Sequence, residues 1–248
     1  MVRLTRRLDS ICDAALALLY PLRCAACEAA PVERRADAPA CAACWEETRV
    51  FEGDEPMCWK CGALSHAAAG ESRAGVRCHR CDEWEFTAAR AVGVYEGALR
   101  ASVLRLKREP HVAPRLANLL RETQARPPLD AATRVVPVPL HPERERERGF
   151  NQAAQLARAV AARARLPLDE WSVRRVRHAE RHRAGMDARA RRETVADAFE
   201  VVRPRLVGGE RILLVDDVFT TGATVSACAR SLRQAGAHEV FVLTVARA

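Results

Sequence analysis

"RILLVDDVFTTGATV" (residues 211–225) joins a short apolar run to two adjacent acids and a turn rich in threonine. A continuously apolar run of this length is typical of a strand buried on both faces of a parallel sheet. Gly222 lets the backbone turn tightly, and the residues after it predict a helix. Ligands of parallel sheets collect where the strands end at their carboxyl edge. The stretch therefore predicts a ligand site at the carboxyl end of a buried strand.

The threonine loop (residues 218–224) predicts an anion site, because amides at a helix N-terminus bind anions and threonine hydroxyls add donors. The carboxylates of Asp216 and Asp217 suit acceptors for the vicinal hydroxyls of a ribose, or outer ligands of a divalent cation. A phosphate beside a diol at this spacing predicts a ribose 5-phosphate ligand. A Walker A nucleotide loop is excluded, because its Gly-Lys-Ser/Thr motif is missing here.

The segments around this stretch alternate between strand and helix patterns. Strand patterns lie at 86–97, 133–140, 211–217 and 239–248, and helical patterns lie at 98–110, 112–125, 149–166 and 222–236. Residues 167–200 are ragged, rich in arginine and poor in apolar anchors, as a mobile insertion would be. The alternation predicts an α/β fold in which helices cover both faces of a parallel sheet.

Four Cys-x-x-Cys pairs precede the predicted sheet: Cys24/Cys27, Cys41/Cys44, Cys58/Cys61 and Cys78/Cys81. Each pair offers two sulfurs to one metal ion, and two pairs complete a tetrahedral four-thiolate site. The eight cysteines therefore predict two structural zinc ions, since disulfides would need an oxidising compartment. We expect the pairs to combine in sequential order, although the spacing also allows interleaved pairing. A closed four-thiolate site leaves no position for substrate, so the metal should stabilise the fold.

Other residues near these pairs allow two interpretations. Trp45, Trp59 and Trp84 could stack on nucleobases with help from Lys60 and Arg80, or they could fill the small core of a zinc module. We favour the second, because such a module has little else to bury. Two further cysteines, Cys12 and Cys228, lie in helical patterns and are predicted to be buried apolar residues.

Composition indicates an ordinary globular chain with a positive charge. The 40 basic residues exceed the 32 acidic ones, which gives a net charge of +8. Two zinc ions held by eight thiolates would reduce this to about +4, so charge argues weakly for nucleic acid. Arginines before an interrupted apolar run predict an amphipathic helix over 1–22 in place of a secretory signal. No apolar stretch is long enough for a membrane span, and we expect a cytoplasmic protein.

"VDDVFTTGAT" closely resembles the phosphoribosyl pyrophosphate (PRPP) signature of type I phosphoribosyltransferases. The zinc segment, "LRLK", "VPVPL", "RERGFNQA" and "ADAFEV" occur in the order of the ComF competence family, so the resemblance covers nearly the whole chain. It implies a type I phosphoribosyltransferase-like parallel sheet flanked by helices over 86–248, behind a double zinc-ribbon domain over 23–85. It also implies PRPP with Mg²⁺ as ligand and a link to DNA uptake.

The resemblance assigns roles to individual residues. Asp216 and Asp217 would be catalytic residues at the ribose hydroxyls. PRPP would be held by Val218, Thr220, Thr221, Gly222, Ala223 and Thr224 at its 5-phosphate, by the turn Val136, Pro137, Val138 and Pro139 at its pyrophosphate, and by Lys107, Arg148, Asn151 and Gln152. One departure is that Ala179, His182 and Thr194 stand where the family commonly has the polar residues Thr, Gln and Asn.

In the mechanism that follows, Mg²⁺ and the arginines Arg144, Arg146 and Arg148 neutralise the leaving pyrophosphate, and residues 167–195 close as a mobile lid. Only a helix and a strand follow the signature in this sequence, so the acceptor should meet the lid, residues 86–110 or the zinc segment. Removal of residues 1–84 is then expected to change acceptor or nucleic-acid binding more than PRPP binding.

Two functions of different class are compatible with these residues. The first is a PRPP-dependent transferase with an unknown acceptor. The second is a non-catalytic single-stranded DNA handling protein that keeps the PRPP pocket as a sensor or remnant, with competence-machinery proteins as partners. Retained acids and threonines support binding of a ribose 5-phosphate ligand under either.

Overall fold

The computed structural model describes residues 21–64, 78, 81, 84–177 and 197–248. Its helices are α1 (Ala42–Glu47), α2 (Gly97–Leu106), α3 (Pro114–Gln124), α4 (Pro142–Arg148), α5 (Gln152–Ala164) and α6 (Ala223–Gln234). Its strands are β1 (Ala88–Val94), β2 (Arg134–Pro137), β3 (Val173–Arg175), β4 (Phe199–Val201), β5 (Arg211–Phe219) and β6 (Glu239–Arg247).

Within this described part, four strands form a parallel sheet in the order β1-β6-β5-β2. The strands β3 and β4 form a separate antiparallel pair. In the sheet, Pro137 at the end of β2 lies opposite Val215 of β5, directly before the two acids. The predicted parallel sheet is confirmed, and its register places the turn after β2 beside Asp216 and Asp217.

The apolar run of β5 is explained by burial on both faces. Leu213 and Val215 belong to a core formed with α2, α3 and α5. Ile212 and Leu214 belong to a second core formed with α6 and the β3–β4 pair. All four side chains are fully buried. Because side chains alternate between the faces of a strand, a strand covered twice needs an apolar residue at every position.

Two groups of four cysteines are found among the described residues. One contains Cys24, Cys27, Cys41 and Cys44, the other contains Cys58, Cys61, Cys78 and Cys81, and the sulfurs of each lie within 4.8 Å of one another. Four sulfurs at this separation fit a tetrahedral zinc ion. The sequential pairing is therefore confirmed, and the groups define a first ribbon (residues 23–48) and a second ribbon (residues 57–64, 78, 81 and 84).

Backbone donors around both groups favour the thiolate form that a zinc ligand requires. The N–H groups of Ala26 and Cys41 donate to Cys24 Sγ at 3.4 and 3.3 Å. Burial raises the pKa of the Cys24 thiol, but these and other backbone bonds outweigh burial and lower that pKa to about 6. The balance is the same at Cys58, whose pKa is lowered to about 6. Burial dominates at Cys44, Cys61 and Cys81, whose pKa values are raised, so only part of each group favours the thiolate form without metal.

The zinc module also closes the free edge of the sheet at β1. Val50 forms an antiparallel bridge with Gly93, and the N–H of Val94 donates to the Arg49 carbonyl at 3.0 Å. An exposed strand edge would otherwise offer unpaired backbone groups to other chains. A Cβ atom on Gly93 would lie 2.2 Å from the Arg49 carbonyl oxygen and 2.7 Å from Leu99 Cδ1. Glycine is therefore required where the module crosses the edge.

Some predictions fall on residues that the structure does not describe. The helix proposed for 1–22 and the buried position of Cys12 concern residues 1–20. Cys228 is fully buried in α6, as predicted. None of the helices in the described ranges has the length and apolar character needed to cross a membrane.

The segment predicted to be mobile, 167–195, is folded at its start. Leu168 forms a parallel bridge with Val135, Asp169 and Ser172 are buried, and β3 follows. The arginine-rich sequence did not indicate the short strand β3. This strand forms by pairing with β4, which is distant in the sequence. The remainder of the prediction, and the departures at Ala179, His182 and Thr194, fall on residues 178–196, outside the described ranges.

The variant Gly93→Ala should lower the free energy of unfolding by about 1–3 kcal/mol, because the added methyl group overlaps the Arg49 carbonyl. Denaturant titration of the zinc-loaded protein measures the change. Gly208→Ala is the matched control, since a Cβ there meets only the Pro204 carbonyl oxygen at 3.5 Å. Equal stability of the two variants would contradict the tight crossing at the sheet edge.

Candidate functional site

The two acids at the end of β5 point to opposite faces of the sheet. Asp217 continues the row of Leu213 and Val215, and its carboxylate faces the ends of α2 and α5. Asp216 continues the row of Ile212 and Leu214 on the face that carries α6 and β3. Both side chains are half-buried. The adjacent acids therefore have separate surroundings, which period-two alternation along the strand imposes.

Four residues that sequence reasoning selected meet in one group, the Asp217 cluster. Lys107 Nζ lies 3.6 Å from Asp217 Oδ2, and Gln152 Nε2 donates to the same oxygen at 3.5 Å. The Arg148 guanidinium donates to Gln152 Oε1. Lys107 caps the C-terminus of α2, Arg148 ends α4 and Gln152 begins α5. Lys107 beside the carboxylate, with Arg148 linked to it through Gln152, can bind an anionic ligand while the carboxylate accepts hydroxyl groups or a metal ion.

Asn151, which was also predicted to bind ligand, makes its hydrogen bonds with other groups of the protein. It caps α5, where its Oδ1 accepts from the Ala153 N–H at 3.0 Å, and its Nδ2 donates to the Val138 carbonyl at 3.0 Å. The Val138 N–H in turn donates to the Val215 carbonyl at 2.9 Å. Asn151 therefore holds the turn after β2 against β5.

The side chains of the turn after β2 are largely directed into the core. Val136 and Val138 are buried in the core shared with α6. Pro137 is buried as well, so a ligand at this turn would meet Pro139 and not the valine side chains. Residues 137–139 have no free N–H for an anion, because the two prolines carry none and the Val138 N–H is donated to the Val215 carbonyl. The positive charge for a pyrophosphate would therefore have to come from neighbouring side chains.

The threonine loop turns from β5 into α6 through Gly222, which has a φ of +78°. A Cβ atom at Gly222 would lie 2.8 Å from Phe219 Cζ and 3.1 Å from Trp84 Cζ2. Glycine is required there both for the backbone angle and for the space. The N–H of Ala223 is directed at Thr221 Oγ1 at 3.4 Å, and Thr220 is exposed. The loop therefore presents hydroxyl groups at the N-terminus of a twelve-residue helix.

Asp216 has a raised pKa, of about 8, mainly because burial disfavours its charged form. Repulsion by Asp217 raises the pKa further, whereas the Asp217 N–H, Arg175 and Lys107 lower it. The Asp216 carboxyl group is thus poised to exchange a proton near neutral pH. Adjacent acids in one motif differ in chemistry because they face different surroundings.

Arg175 on β3 is a candidate site residue that sequence reasoning missed. Burial lowers the pKa of its guanidinium, and attraction to the Asp216 carboxylate opposes that shift. Its Nε is buried and has no hydrogen-bond partner within the described residues. In the sequence this residue stands in "SVRRVRH", where neighbouring arginines look alike. Only the pairing of β3 with β4 shows which of them faces the site.

The arginines of α4 separate into different roles. Arg148 joins the Asp217 cluster, whereas Arg146 is exposed and its Nε donates back to the Pro142 carbonyl of its own helix at 3.4 Å. Arg144 is half-buried and close enough to Arg175 for repulsion to lower the pKa of the Arg175 guanidinium. Of the three arginines predicted to neutralise pyrophosphate, Arg148 belongs to the Asp217 cluster. Arg144 lies near Arg175, on the other face of the sheet.

The tryptophans of the zinc module mainly fill its core. Trp45 is 2% exposed and Trp84 is 7% exposed, whereas Trp59 is 41% exposed. Lys60, expected to assist base stacking, donates through Nζ to the Trp84 carbonyl at 2.7 Å. The core-filling interpretation is confirmed for Trp45 and Trp84, and Arg80 lies outside the described residues.

Comparison with known proteins identifies the zinc segment. The double zinc ribbon domain family matches residues 15–83. The solved structure of glutamine PRPP amidotransferase from B. subtilis aligns with a TM-score of 0.36 and 21% identity, covering 60% of this chain and 26% of that chain.

Similarity over most of the chain is found to curated proteins. Competence protein F of Haemophilus influenzae is 30% identical over 218 residues, which are 84% of this chain and 90% of that protein. DNA utilization protein YhgH of Escherichia coli K12 is 30% identical over 218 residues, which are 84% of this chain and 89% of that protein. A double zinc ribbon followed by this parallel sheet, together with identity at this level and coverage, shows that the chain belongs to the ComF competence-protein family.

Proposed function

We propose that this protein binds PRPP with Mg²⁺ at the carboxyl ends of β5 and β2, as a phosphoribosyltransferase-like member of its family. The observation that carries the proposal is the Asp217 cluster, in which a lysine and a glutamine converge on one carboxylate oxygen beside the threonine loop. The loop, the acids and the turn after β2 offer separate positions for phosphate, diol and pyrophosphate. No single one of these features would require a phosphoribosyl ligand.

In this arrangement the 5-phosphate binds the threonine loop and the N-terminus of α6. Asp216 and Asp217 accept hydrogen bonds from the ribose hydroxyls, and the pyrophosphate lies beside the turn after β2, where Lys107 and Arg148 supply positive charge. Mg²⁺ would add positive charge on the pyrophosphate oxygens, with the Asp217 carboxylate and the ribose oxygens as ligands it prefers.

Lys107 occupies the position of a counter-ion for Asp217 until a ligand arrives. Its amine lies 3.6 Å from the carboxylate, in a pair that is partly exposed to solvent. A surface pair of this kind contributes little stability, so its replacement by ligand hydroxyl groups costs little. The released amine and the Arg148 guanidinium then stabilise the negative charge that develops on pyrophosphate as its bond to C1 breaks.

The biological role that we propose is DNA uptake or use, as the names of the similar proteins indicate. Besides PRPP, the protein binds a second ligand, which is either a nucleophile that accepts the phosphoribosyl group or single-stranded DNA. The basic residues are almost all arginine, which favours phosphate-bearing partners and is compatible with the alternative of a non-catalytic DNA-handling protein. Competence-machinery proteins are further candidate partners.

Asp217→Asn should weaken binding of PRPP with Mg²⁺ by about tenfold or more, because the amide removes the charge that holds diol, metal and Lys107. Isothermal titration calorimetry measures the dissociation constant. Asp130→Asn is the control, since Asp130 is an exposed acid in the short helix Leu129–Ala131. Equal affinities of the two variants, or no binding by the wild-type protein, would refute the proposed site.

Binding at pH 7 should release a proton from Asp216. A carboxyl group with a pKa of about 8 is protonated in about 0.9 of free molecules at this pH, and acceptance of ribose hydroxyls favours the ionised form. Calorimetry in buffers of different ionisation enthalpy gives the proton count. Asp216→Asn should lose this release, and an unchanged count in the variant would show that Asp216 keeps its proton.

Pyrophosphate release from PRPP distinguishes the enzyme from the DNA-handling protein. With a panel of nucleobases, amines and single-stranded DNA, we expect release that depends on one acceptor class and is lost in the double variant Asp216→Ala/Asp217→Ala. If no acceptor gives release, and salt-dependent oligonucleotide binding persists in that variant, the non-catalytic alternative is correct.

A further inference from the structure

The threonine loop rests on aromatic side chains from two domains. Phe219, which begins the turn, packs edge-on against Trp84 at a centroid distance of 5.4 Å and against Phe86 at 6.0 Å. These rings fill the space beside Gly222, since a Cβ atom there would lie 2.8 Å from Phe219 Cζ and 3.1 Å from Trp84 Cζ2. The loop therefore cannot move toward the zinc module unless Trp84 and Phe219 move as well.

Arg247 connects this aromatic group to a zinc ligand. Its Nη1 donates to the Cys61 carbonyl at 2.7 Å, and its Nη2 lies 3.9 Å from Cys61 Sγ. The same guanidinium lies over the Phe219 ring, 4.6 Å from its centroid. One rigid, planar cation at the end of β6 thus contacts the second ribbon and the base of the threonine loop at the same time.

Trp84 is held from both cysteine pairs of the second ribbon. Its N–H is directed at the Cys81 carbonyl at 3.4 Å, and its own carbonyl accepts from Lys60 Nζ at 2.7 Å. Lys60 directly precedes Cys61, and Trp84 follows Cys81 by three residues. The position of the indole ring is therefore fixed by the same backbone segments that a zinc ion would join.

The first ribbon is attached differently. Its Cys24, Cys41 and Trp45 belong to the core on the opposite face of the sheet, together with α2, α3 and α5. Arg115 of α3 lies 4.7 Å from the Trp45 ring centroid and pairs with Asp37 at 3.5 Å. Arg115 therefore stacks on a ring of the first ribbon itself, whereas Arg247 bonds to the second ribbon through Cys61 and stacks on Phe219 at the base of the threonine loop.

We propose that zinc in the second ribbon and phosphate in the threonine loop are thermodynamically coupled through Arg247, Phe219 and Trp84, whereas zinc in the first ribbon is not. The four sulfurs of the second group fit the metal, as shown by their mutual distances within 4.8 Å. Metal that orders the second ribbon fixes the rings under the loop, and phosphate that orders the loop must in return tighten metal binding. The inference rests on the proposed function, because it assumes that the loop binds phosphate.

This coupling argues against the sequence-based expectation that removal of residues 1–84 changes acceptor binding more than PRPP binding. Such a truncation removes Trp84 and the Cys61 carbonyl, both of which support the threonine loop. Loss of the zinc module should therefore weaken binding at the phosphate position more than it changes acceptor binding.

The test measures, at equilibrium, the distribution of zinc between the full-length protein and a competing chromogenic chelator, with and without saturating ribose 5-phosphate. This probe carries the phosphate and diol without the pyrophosphate, and pyrophosphate alone serves as the control ligand. Of the two zinc sites, we expect one to bind zinc about tenfold more tightly with ribose 5-phosphate and the other to keep an unchanged affinity.

The variant Arg247→Met keeps an apolar stem over Phe219 but loses the bond to Cys61. It should remove the gain in zinc affinity and weaken ribose 5-phosphate binding in calorimetry by about tenfold. The matched variant Arg115→Met, which loosens the first ribbon in the same way, should leave both properties unchanged.

Three results would overturn the coupling. If wild-type protein binds ribose 5-phosphate but its zinc affinity is unaffected, the coupling is absent while the proposed function stands. If Arg247→Met weakens binding yet the gain in zinc affinity remains, Arg247 contacts the phosphate directly and does not transmit the effect. If wild-type protein binds neither ribose 5-phosphate nor PRPP, the proposed function fails and this inference fails with it.

Discussion

The burial of β5 between two helical layers is the constraint on which the candidate site depends. A strand covered on both faces must send alternate side chains into two cores, and the alternation continues beyond Val215 into the acids. Asp217 consequently faces Lys107 and Gln152, while Asp216 lies on the side of α6 and β3. The neighbouring strand β2 ends at the same edge, so its following turn lies beside both acids.

Two identical side chains thereby acquire different chemical properties. Lysine and glutamine groups surround the Asp217 carboxylate, which suits it to hydroxyl groups or a metal ion. Asp216 is desolvated, and its pKa of about 8 makes it a group that takes up or loses a proton near neutrality. Asn151 and the buried valines Val136 and Val138 fix the backbone of the turn after β2, which lies beside both acids.

The zinc module is an integral part of the sheet domain and not a separate appendage. It completes the edge of β1 through the bridge between Val50 and Gly93, and it supports the threonine loop through Trp84. The two ribbons serve opposite faces of the sheet, so the loss of one metal site need not affect the other face. A module that is too small to form its own core thus obtains stability from metal and from the domain it supports.

The sequence by itself determined the elements with local signatures, namely the eight cysteine ligands and the parallel sheet, whereas the association of Lys107, Arg148 and Gln152 with the acid pair was expected from the family resemblance. Short-range spacing and apolar patterns carry that information because they act within one helix, strand or knuckle. Only the tertiary structure decided that Asn151 is structural, that Arg175 faces Asp216, and that Arg247 contacts Cys61 across 186 residues of chain. These roles depend on the direction of a side chain and on contacts between distant segments, which packing decides and no local pattern records.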